Sequence, residues 1–422
     1  MRILFVTGLY PHAYIDDLRM LSNGCIQNAP NVFQWAVVDG LFKNKVEFEV
    51  LSFPFLPSFP LNYKKMYTPM GSITINGCNV GEMVSYCDLL VYKTLSIQLK
   101  CEIKIREWLE TNKDYNGKLV VLTYSPYPPF LKGIKKLKKI YPNFIVASIV
   151  TDLVDNMMDF RSNRSFLKRI QCYKEIKETK SLYKYIDKFI LLASPMIEKI
   201  PEAVNKHIII EGISVHKEYI NSLKSEANPS ILYTGTLEEF SGVGYLIEAF
   251  KKVTNKNVRL IICGTGSLTK QVEDATKIDK RIIYKGLVTR EEALLLQNQA
   301  TILINPRRPD GEITRFSFPS KTMEYLSSGT PMIGYKLEGI PSEYYDHYYT
   351  IDDLSEDSLI NTIEYVLSLP VAELEAKAQL AYDFIINNKS AQVQVKKIID
   401  FLAKLVLLLA CQFLNLRKVL FG

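Results

Sequence analysis

Short runs of aliphatic and β-branched residues alternate with amphipathic segments along most of the chain. The runs are almost continuously apolar, which is typical of parallel strands that are covered on both faces. The pattern predicts strands at Arg2–Thr7, Val46–Phe53, Leu119–Tyr124, Phe144–Val150, Lys188–Leu192, His207–Ile210, Ile231–Gly235, Arg259–Gly264, Arg281–Tyr284, Thr301–Asn305 and Pro331–Gly334. Strands that alternate with helices indicate an α/β protein with doubly wound parallel sheets.

The strand series is interrupted once, at the polar segment Ser214–Ser230, which contains Asn228-Pro229. Polar, proline-containing stretches between βα series are typical linkers. We therefore predict one domain over residues 1–215 and a second over residues 229–388. Residues 389–422 begin with apolar positions at helical spacing and end in an apolar tail, which predicts an amphipathic helix over Ala391–Leu409.

Composition and charge narrow the function classes. The 422 residues carry a net charge of +7, and 47% of them are hydrophobic. The mild charge permits anionic partners such as phosphates, and it disfavours a nucleic-acid-binding protein. Seven scattered cysteines without a CxxC pair, an N-terminus that reads as a strand, and the lack of an apolar run of about 20 residues favour a cytoplasmic location.

The segment Phe318–Gly334 carries the most chemistry. Ser320 is placed to cap a helix, and Gly329 is placed to end it in a left-handed turn. Lys321 and Glu324 are three residues apart and therefore share one face near the start of this helix. A helix start with a lysine attracts anions, and a carboxylate one turn further can accept hydrogen bonds from a diol such as ribose.

This segment resembles the donor site of GT-B glycosyltransferases, specifically the family-4-like group that includes bacterial capsular, exopolysaccharide and O-antigen enzymes. The resemblance implies two Rossmann-like domains that face a cleft, with a last helix that crosses back onto the first domain. It assigns acceptor binding to the N-terminal domain and donor binding to the C-terminal one. It implies that Ser320 and Lys321 bind the donor diphosphate, that Lys321 acts in catalysis, and that Glu324 holds the ribose.

The opening of the second domain departs from the family pattern. Residues 231–250 resemble the first strand, loop and helix of the donor domain, where relatives carry an arginine and a lysine that grip the diphosphate. Here Thr236 and Ser241 occupy those places. The absence of that arginine and lysine removes two charge-assisted contacts of roughly 1.5–3 kcal/mol each. The backbone around Gly235 and Gly242 remains available for phosphate.

Other cations are expected to supply the missing charge. Arg307 and Arg308 follow a predicted strand directly, where parallel sheets bind their ligands, and Arg315 and Lys321 lie nearby in the sequence. A second departure is at Phe316, where the resembled family usually has a glutamate eight positions before Glu324. We therefore transfer the ribose-binding role to Glu324 alone.

Three loops after predicted strands complete the expected site. The resemblance implies that the turn at Gly264 and Gly266 receives the nucleotide and that Gly8 lies beside the donor phosphates. Many relatives place a histidine near the transferred sugar where this chain has Asp152. A carboxylate there can bind sugar hydroxyls or stabilise positive charge at the anomeric carbon, and it can equally be a helix cap.

Neither a metal nor a resident cofactor is expected. The four histidines are scattered and form no metal-binding motif, and the resemblance implies a metal-independent, retaining reaction. The basic segment Lys132–Lys139 and the apolar tail suggest peripheral contact with an anionic membrane, although a solvated helix face and a docked terminus explain them equally well.

The sequence therefore predicts a glycosyltransferase that moves a sugar from a nucleotide-diphosphate donor to a hydroxyl of a glycan or lipid-linked glycan. Two alternatives remain open. One is a UDP-sugar 2-epimerase of the same fold. The other is a catalytically silent nucleotide-sugar-binding subunit, which the missing arginine, lysine and first glutamate favour.

Overall fold

The fold was analysed in a computed structural model, which describes residues 1–23, 26–90, 92–155, 166–215 and 229–404. Two separate β-sheets organise these residues, and each sheet is built from one half of the chain.

The first sheet has eight strands in the order β3-β4-β2-β1-β5-β6-β7-β8. All neighbours pair in parallel except β3 and β4, which form an antiparallel hairpin at one edge. The strands are β1 Arg2–Thr7, β2 Glu47–Ser52, β3 Gly71–Ile75, β4 Cys78–Met83, β5 Leu119–Tyr124, β6 Ile145–Val150, β7 Lys188–Leu191 and β8 His207–Ile209.

The second sheet has six strands in the order β11-β10-β9-β12-β13-β14, and all of them pair in parallel. The order reverses direction at β9, which creates a topological switch point where ligands of open α/β sheets bind. The strands are β9 Ser230–Thr234, β10 Arg259–Cys263, β11 Ile282–Gly286, β12 Ile302–Asn305, β13 Met332–Tyr335 and β14 Tyr349–Ile351.

Helices cover both sheets. They are α1 Ile15–Leu21, α2 Asn28–Lys43, α3 Lys93–Thr111, α4 Pro128–Leu137, α5 Phe166–Leu182, α6 Val243–Lys252, α7 Thr269–Ile278, α8 Arg290–Gln299, α9 Glu312–Arg315, α10 Ser320–Leu326, α11 Glu356–Ser368, α12 Val371–Lys389 and α13 Ala391–Ala403. Thr289 caps α8, because its Oγ1 accepts a hydrogen bond from the Glu292 amide at 3.1 Å.

The last helix returns to the first sheet. Val395, Ile398 and Leu402 of α13 are buried in the same apolar cluster as residues of β1 and α2. Lys188 donates to the carbonyl of Lys404 at 2.8 Å and also to that of Phe401, so a buried cation satisfies the end of the helix. The predicted crossing helix is confirmed up to Ala403, and residues 405–422 lie outside the described part of the chain.

All eleven predicted strands are present, with ends that differ by one or two residues. The sequence pattern missed the β3–β4 hairpin, which is polar and partly exposed, and the three-residue strand β14. Most of the predicted linker, residues 216–228, lies outside the described residues, so the domain boundary stays a prediction.

The basic helix α4 does not offer its apolar face to solvent. Ile134 and Leu137 are fully buried in the core of the first sheet. Lys132, Lys136 and Lys138 each form an ion pair with an acidic side chain, at 2.7–2.9 Å. This charge run is therefore a solvated helix face. Of the helices in the described ranges, none combines the length and apolar character needed to cross a bilayer.

Candidate functional site

Helix α10 lies at the carboxyl edge of the second sheet, beside the loop that follows β9. The helix begins at Ser320, and the residue before it, Pro319, is the last with an extended backbone. The prediction that Ser320 caps the helix is wrong, because Ser320 already lies in the first turn and the cap position is Pro319, which has no side-chain acceptor. Gly329 follows the helix with φ 74°, which confirms the predicted left-handed stop.

Lys321 points toward the loop after β9. Its Nζ lies 5.6 Å from the centre of the Tyr233 ring, and a Cβ at Gly235 would overlap its ammonium group. Only glycine therefore allows the lysine to lie this close to the backbone. Burial lowers the pKa of Lys321, Glu324 opposes this shift, and Arg307 adds to it. The cation is poorly solvated and gains from an anion placed beside it.

Glu324 is held in place by a residue that the sequence analysis missed. Gln297, fully buried at the end of α8, donates from Nε2 to Oε1 of Glu324 at 2.7 Å and to Oγ1 of Thr234 at 3.2 Å. Gln297 sits in a predominantly polar helix, so no periodicity in the sequence marks it as an inward-facing residue. The amide fixes one carboxylate oxygen of Glu324 at the edge of the cleft.

A cleft of about 1190 Å³ separates α10 from the N-terminal domain. Five of the predicted site residues line it, namely Gly235, Thr236, Gly264, Lys321 and Glu324. The opposite wall carries His12 and Trp35, whose rings stack with centroids 4.1 Å apart. Lys321 and Glu324 are thus brought together with the glycine turns of β9 and β10, as the sequence predicts.

Arg307 and Asp152 form a second charged group at this edge. Arg307 donates to Oγ1 of Thr314 at 3.0 Å and to Oγ of Ser317 at 2.8 Å, which fixes its guanidinium. Burial lowers the pKa of Arg307, and Tyr233 and Asp152 oppose the shift. Burial raises the pKa of Asp152, against a hydrogen bond from Thr151 and the charge of Arg307.

This electrostatic coupling places Asp152, from the first half of the chain, near Arg307, from the second half. The charge of Arg307 also reaches Lys321. Of these three charged residues, Lys321 is the one that lines the 1190 Å³ cleft.

Comparisons with known proteins identify the fold. Residues 228–368 match the model of the family Glycosyl transferases group 1. Sucrose-phosphate synthase from Thermosynechococcus elongatus superposes with a TM-score of 0.61 at 12% identity, covering 95% of this chain and 98% of that one. The chain has the GT-B fold of glycosyltransferases. The predicted resemblance is therefore confirmed by the family match and by the fold.

Two further GT-B structures cover nearly the whole chain. The lipopolysaccharide outer core galactosyltransferase WaaB has a TM-score of 0.58 at 15% identity, over 95% of this chain and 99% of its own. TarM from S. aureus, in complex with Fondaparinux, α-GlcNAc-glycerol and UDP, has a TM-score of 0.58 at 9% identity, over 96% of this chain and 100% of its own. A comparison with curated protein sequences found no match.

In this GT-B chain, two of the predicted donor-binding residues shape the backbone. Ser241 is buried, and its hydroxyl donates to the carbonyl of Glu238 at 2.6 Å. Gly242 has φ 76°, and a Cβ there would overlap the carbonyl of Pro306. Their contacts support the position of the loop that carries Arg307, because α6 starts directly against it.

Other predicted residues lie away from the cleft. Gly8 is buried against the Phe55 ring, and Gly266 lies close to the carbonyl of Leu237. Arg308 pairs with Asp310 at 3.0 Å, and its guanidinium lies 4.2 Å from the centre of the Tyr245 ring. Ser320 is exposed and borders a small pocket that adjoins the cleft at Glu324. None of these four predicted residues is among those that line the 1190 Å³ cleft.

Arg315 contributes to contact between the domains. It pairs with Glu198 of the first half at 2.8 Å and with Glu338 at 2.7 Å, while Lys199 pairs with Glu312 at 3.0 Å. Phe316, in the place of the family's first glutamate, is 2% exposed and belongs to the apolar cluster of the first sheet. The residue that departs from the family pattern, Phe316, therefore makes an apolar contact between the two halves.

Within the described ranges, no three His, Cys, Asp or Glu side chains are grouped to hold a metal ion. Of the four histidines, His216 lies outside those ranges.

Proposed function

We propose that this protein transfers a sugar from a nucleotide-diphosphate sugar to a hydroxyl of a glycan or lipid-linked glycan, with retention and without a catalytic metal. The observation that carries the proposal is the placement of Lys321 and Glu324 on one cleft wall, close enough to Arg307 for its charge to act on Lys321. The family match and the GT-B fold support the reaction class.

The donor end follows from charge. Cleavage of the bond between the anomeric carbon and the phosphate oxygen leaves negative charge on the diphosphate. Lys321 and Arg307 are both desolvated cations, and electrostatic stabilisation is stronger where water is excluded. They take the role of the arginine and lysine that Thr236 and Ser241 replace. Glu324, fixed by Gln297, accepts hydrogen bonds from the ribose hydroxyls.

Asp152 acts on the sugar. It comes from the opposite domain, and burial raises its pKa, so its carboxylate gains from positive charge placed beside it. A positive charge that develops at the anomeric carbon is stabilised by a carboxylate at this place. Retention of the configuration at the anomeric carbon is what the sequence resemblance implies. Closure of the two domains keeps water from the activated sugar.

The acceptor and its setting are proposed from the relatives. WaaB is a lipopolysaccharide galactosyltransferase, and TarM was solved with UDP. We propose surface-polysaccharide synthesis at the cytoplasmic face of a membrane, with a UDP-sugar as the first donor to test.

The test is a turnover assay with a panel of UDP- and GDP-sugars, with and without lipid-linked glycan acceptors. We expect the release of nucleoside diphosphate to depend on the acceptor. We also expect an α-linked donor to give an α-linked product. Isomerisation of the donor alone would identify an epimerase instead. Binding without turnover of any donor–acceptor pair would identify a silent subunit.

A further inference from the structure

Helix α3 exposes an apolar stripe to solvent. Leu95, Leu99 and Ile103 follow each other at intervals of four residues and are 49%, 44% and 48% exposed. The opposite face of the helix is buried, with Ile97 and Ile105 in the core of the first sheet. A surface helix needs one apolar face to pack on the core, and α3 has a second one. No part of the described structure covers this second face.

Two neighbouring loops extend the stripe. The chain around residues 59–70 pairs with the segment that leads into α3: the Asp88 amide donates to the carbonyl of Met66 at 2.7 Å, and Tyr67 forms an isolated bridge with Cys87. These loops expose further large apolar side chains. We call the whole set the apolar patch, and it consists of Leu61, Met66, Tyr67, Met70, Leu90, Tyr92, Leu95, Leu99 and Ile103.

The patch is basic. Residues 59–71 and 89–103 contain four lysines and one acidic residue, Glu102, which pairs with Arg106 and Lys136. Lys64, Lys65 and Lys100 are exposed, whereas Lys93 pairs with the buried carboxylate of Asp88 at 2.7 Å. Long lysine side chains beside exposed leucines and tyrosines suit the boundary between anionic headgroups and acyl chains. Protein interfaces, in contrast, are depleted in lysine.

We infer that the apolar patch seats the N-terminal domain on an anionic lipid bilayer. Strands β1, β2 and β4 run parallel, and the patch loops follow the carboxyl ends of β2 at Ser52 and of β4 at Met83. The chain after β1 leaves the same edge of the sheet and reaches the cleft wall at His12. A membrane bound there holds the acceptor side of the cleft at the lipid surface. The inference rests on the proposed function, because it makes the acceptor hydroxyl part of a lipid-borne glycan.

The experiment is flotation of the full chain with vesicles of phosphatidylcholine, with or without phosphatidylglycerol. We expect binding to the anionic vesicles that weakens with salt. The variant L95Q/L99Q/I103Q is expected to lose at least about tenfold in binding, since it removes buried apolar area. The variant K64Q/K65Q/K100Q is expected to lose about a hundredfold on anionic vesicles and little on neutral ones.

A matched control changes three apolar residues on the C-terminal domain that are at least as exposed, I278Q/Y365Q/L380Q, and should bind as the wild type does. Vesicle binding by L95Q/L99Q/I103Q at wild-type strength would overturn the inference and assign binding to residues 405–422 or another surface. Self-association in solution that this variant abolishes would also overturn it, in favour of a second copy as the occupant.

Calorimetry with UDP separates this inference from the proposed function. Flotation of a wild-type protein that binds no UDP would support the lipid-binding surface and contradict the proposed donor site. Thermal melts of each variant show whether the substitutions leave the fold intact.

Discussion

At the scale of single residues, the candidate site contains cationic side chains whose pKa values are lowered by burial. Lys321 is the clearest case, because burial lowers its pKa and the backbone at Gly235 leaves no room for another side chain. The sequence predicted Lys321 and Glu324 from their spacing alone. It missed Gln297, whose role depends on a contact with Glu324 across 27 positions of sequence.

Replacement of this lysine tests the point. We predict that Lys321→Met raises the free energy of unfolding at neutral pH, because it removes a buried charge, and abolishes measurable UDP binding. In the wild type, the unfolded chain holds its Lys321 proton to a higher pH than the folded chain does. The contribution of Lys321 to the free energy of unfolding therefore rises as the pH increases from its lowered pKa toward the ordinary value of 10.5.

UDP affinity should fall over the same pH range, since the anion prefers the protonated lysine. Chemical denaturation and calorimetry at several pH values measure both effects. Lys270→Met, at an exposed position, is the control and should change neither. A Lys321→Met protein with wild-type UDP affinity would contradict the assignment.

At the scale of elements, a short segment of the second domain joins the two halves. Helix α9 and Phe316 contact the segment Ser194–Lys199 through ion pairs and an apolar side chain. The sequence alone identified Phe316 as a departure from the family pattern. It did not show the reason, because the partner residues lie more than a hundred positions away.

We predict that Phe316→Ala lowers the free energy of unfolding by about 3–5 kcal/mol, the usual cost of a truncated buried phenylalanine. Phe316→Leu should lower it by less than about 1.5 kcal/mol, since most of the volume is kept. Urea unfolding measures both changes. A loss below about 1 kcal/mol for Phe316→Ala would mean that the side chain does not join the two halves in solution.

At the scale of the whole molecule, the crossing between the domains contains a buried charge network. Lys389, 2% exposed, contacts the carboxylates of Glu211 and Glu343, and the Tyr344 hydroxyl donates to Glu211 at 2.7 Å. Buried ion pairs add little net stability but fix one arrangement, because a lone buried charge is costly. We infer that this network sets how α12 leaves the donor domain before α13 crosses back.

The general architecture followed from the strand pattern, because parallel sheets leave continuous apolar runs in the sequence. The network at Lys389 did not, since lysines and glutamates usually lie on the surface and only the assembled fold brings these together. The same limit applies to the donor site. Arg307, Arg308 and Arg315 look equivalent in sequence, and only the structure separates Arg307, whose charge acts on Lys321, from the two in ion pairs.

The most direct test of the donor site is a calorimetric titration of UDP and GDP into the wild type and Glu324→Ala. We predict that the wild type binds one nucleotide more tightly and that Glu324→Ala loses at least tenfold in affinity, about 1.4 kcal/mol. Glu248→Ala, a change of an exposed glutamate on α6, should bind as the wild type does. Equal affinity of Glu324→Ala and the wild type, or no binding of either nucleotide to the wild type, would contradict the account.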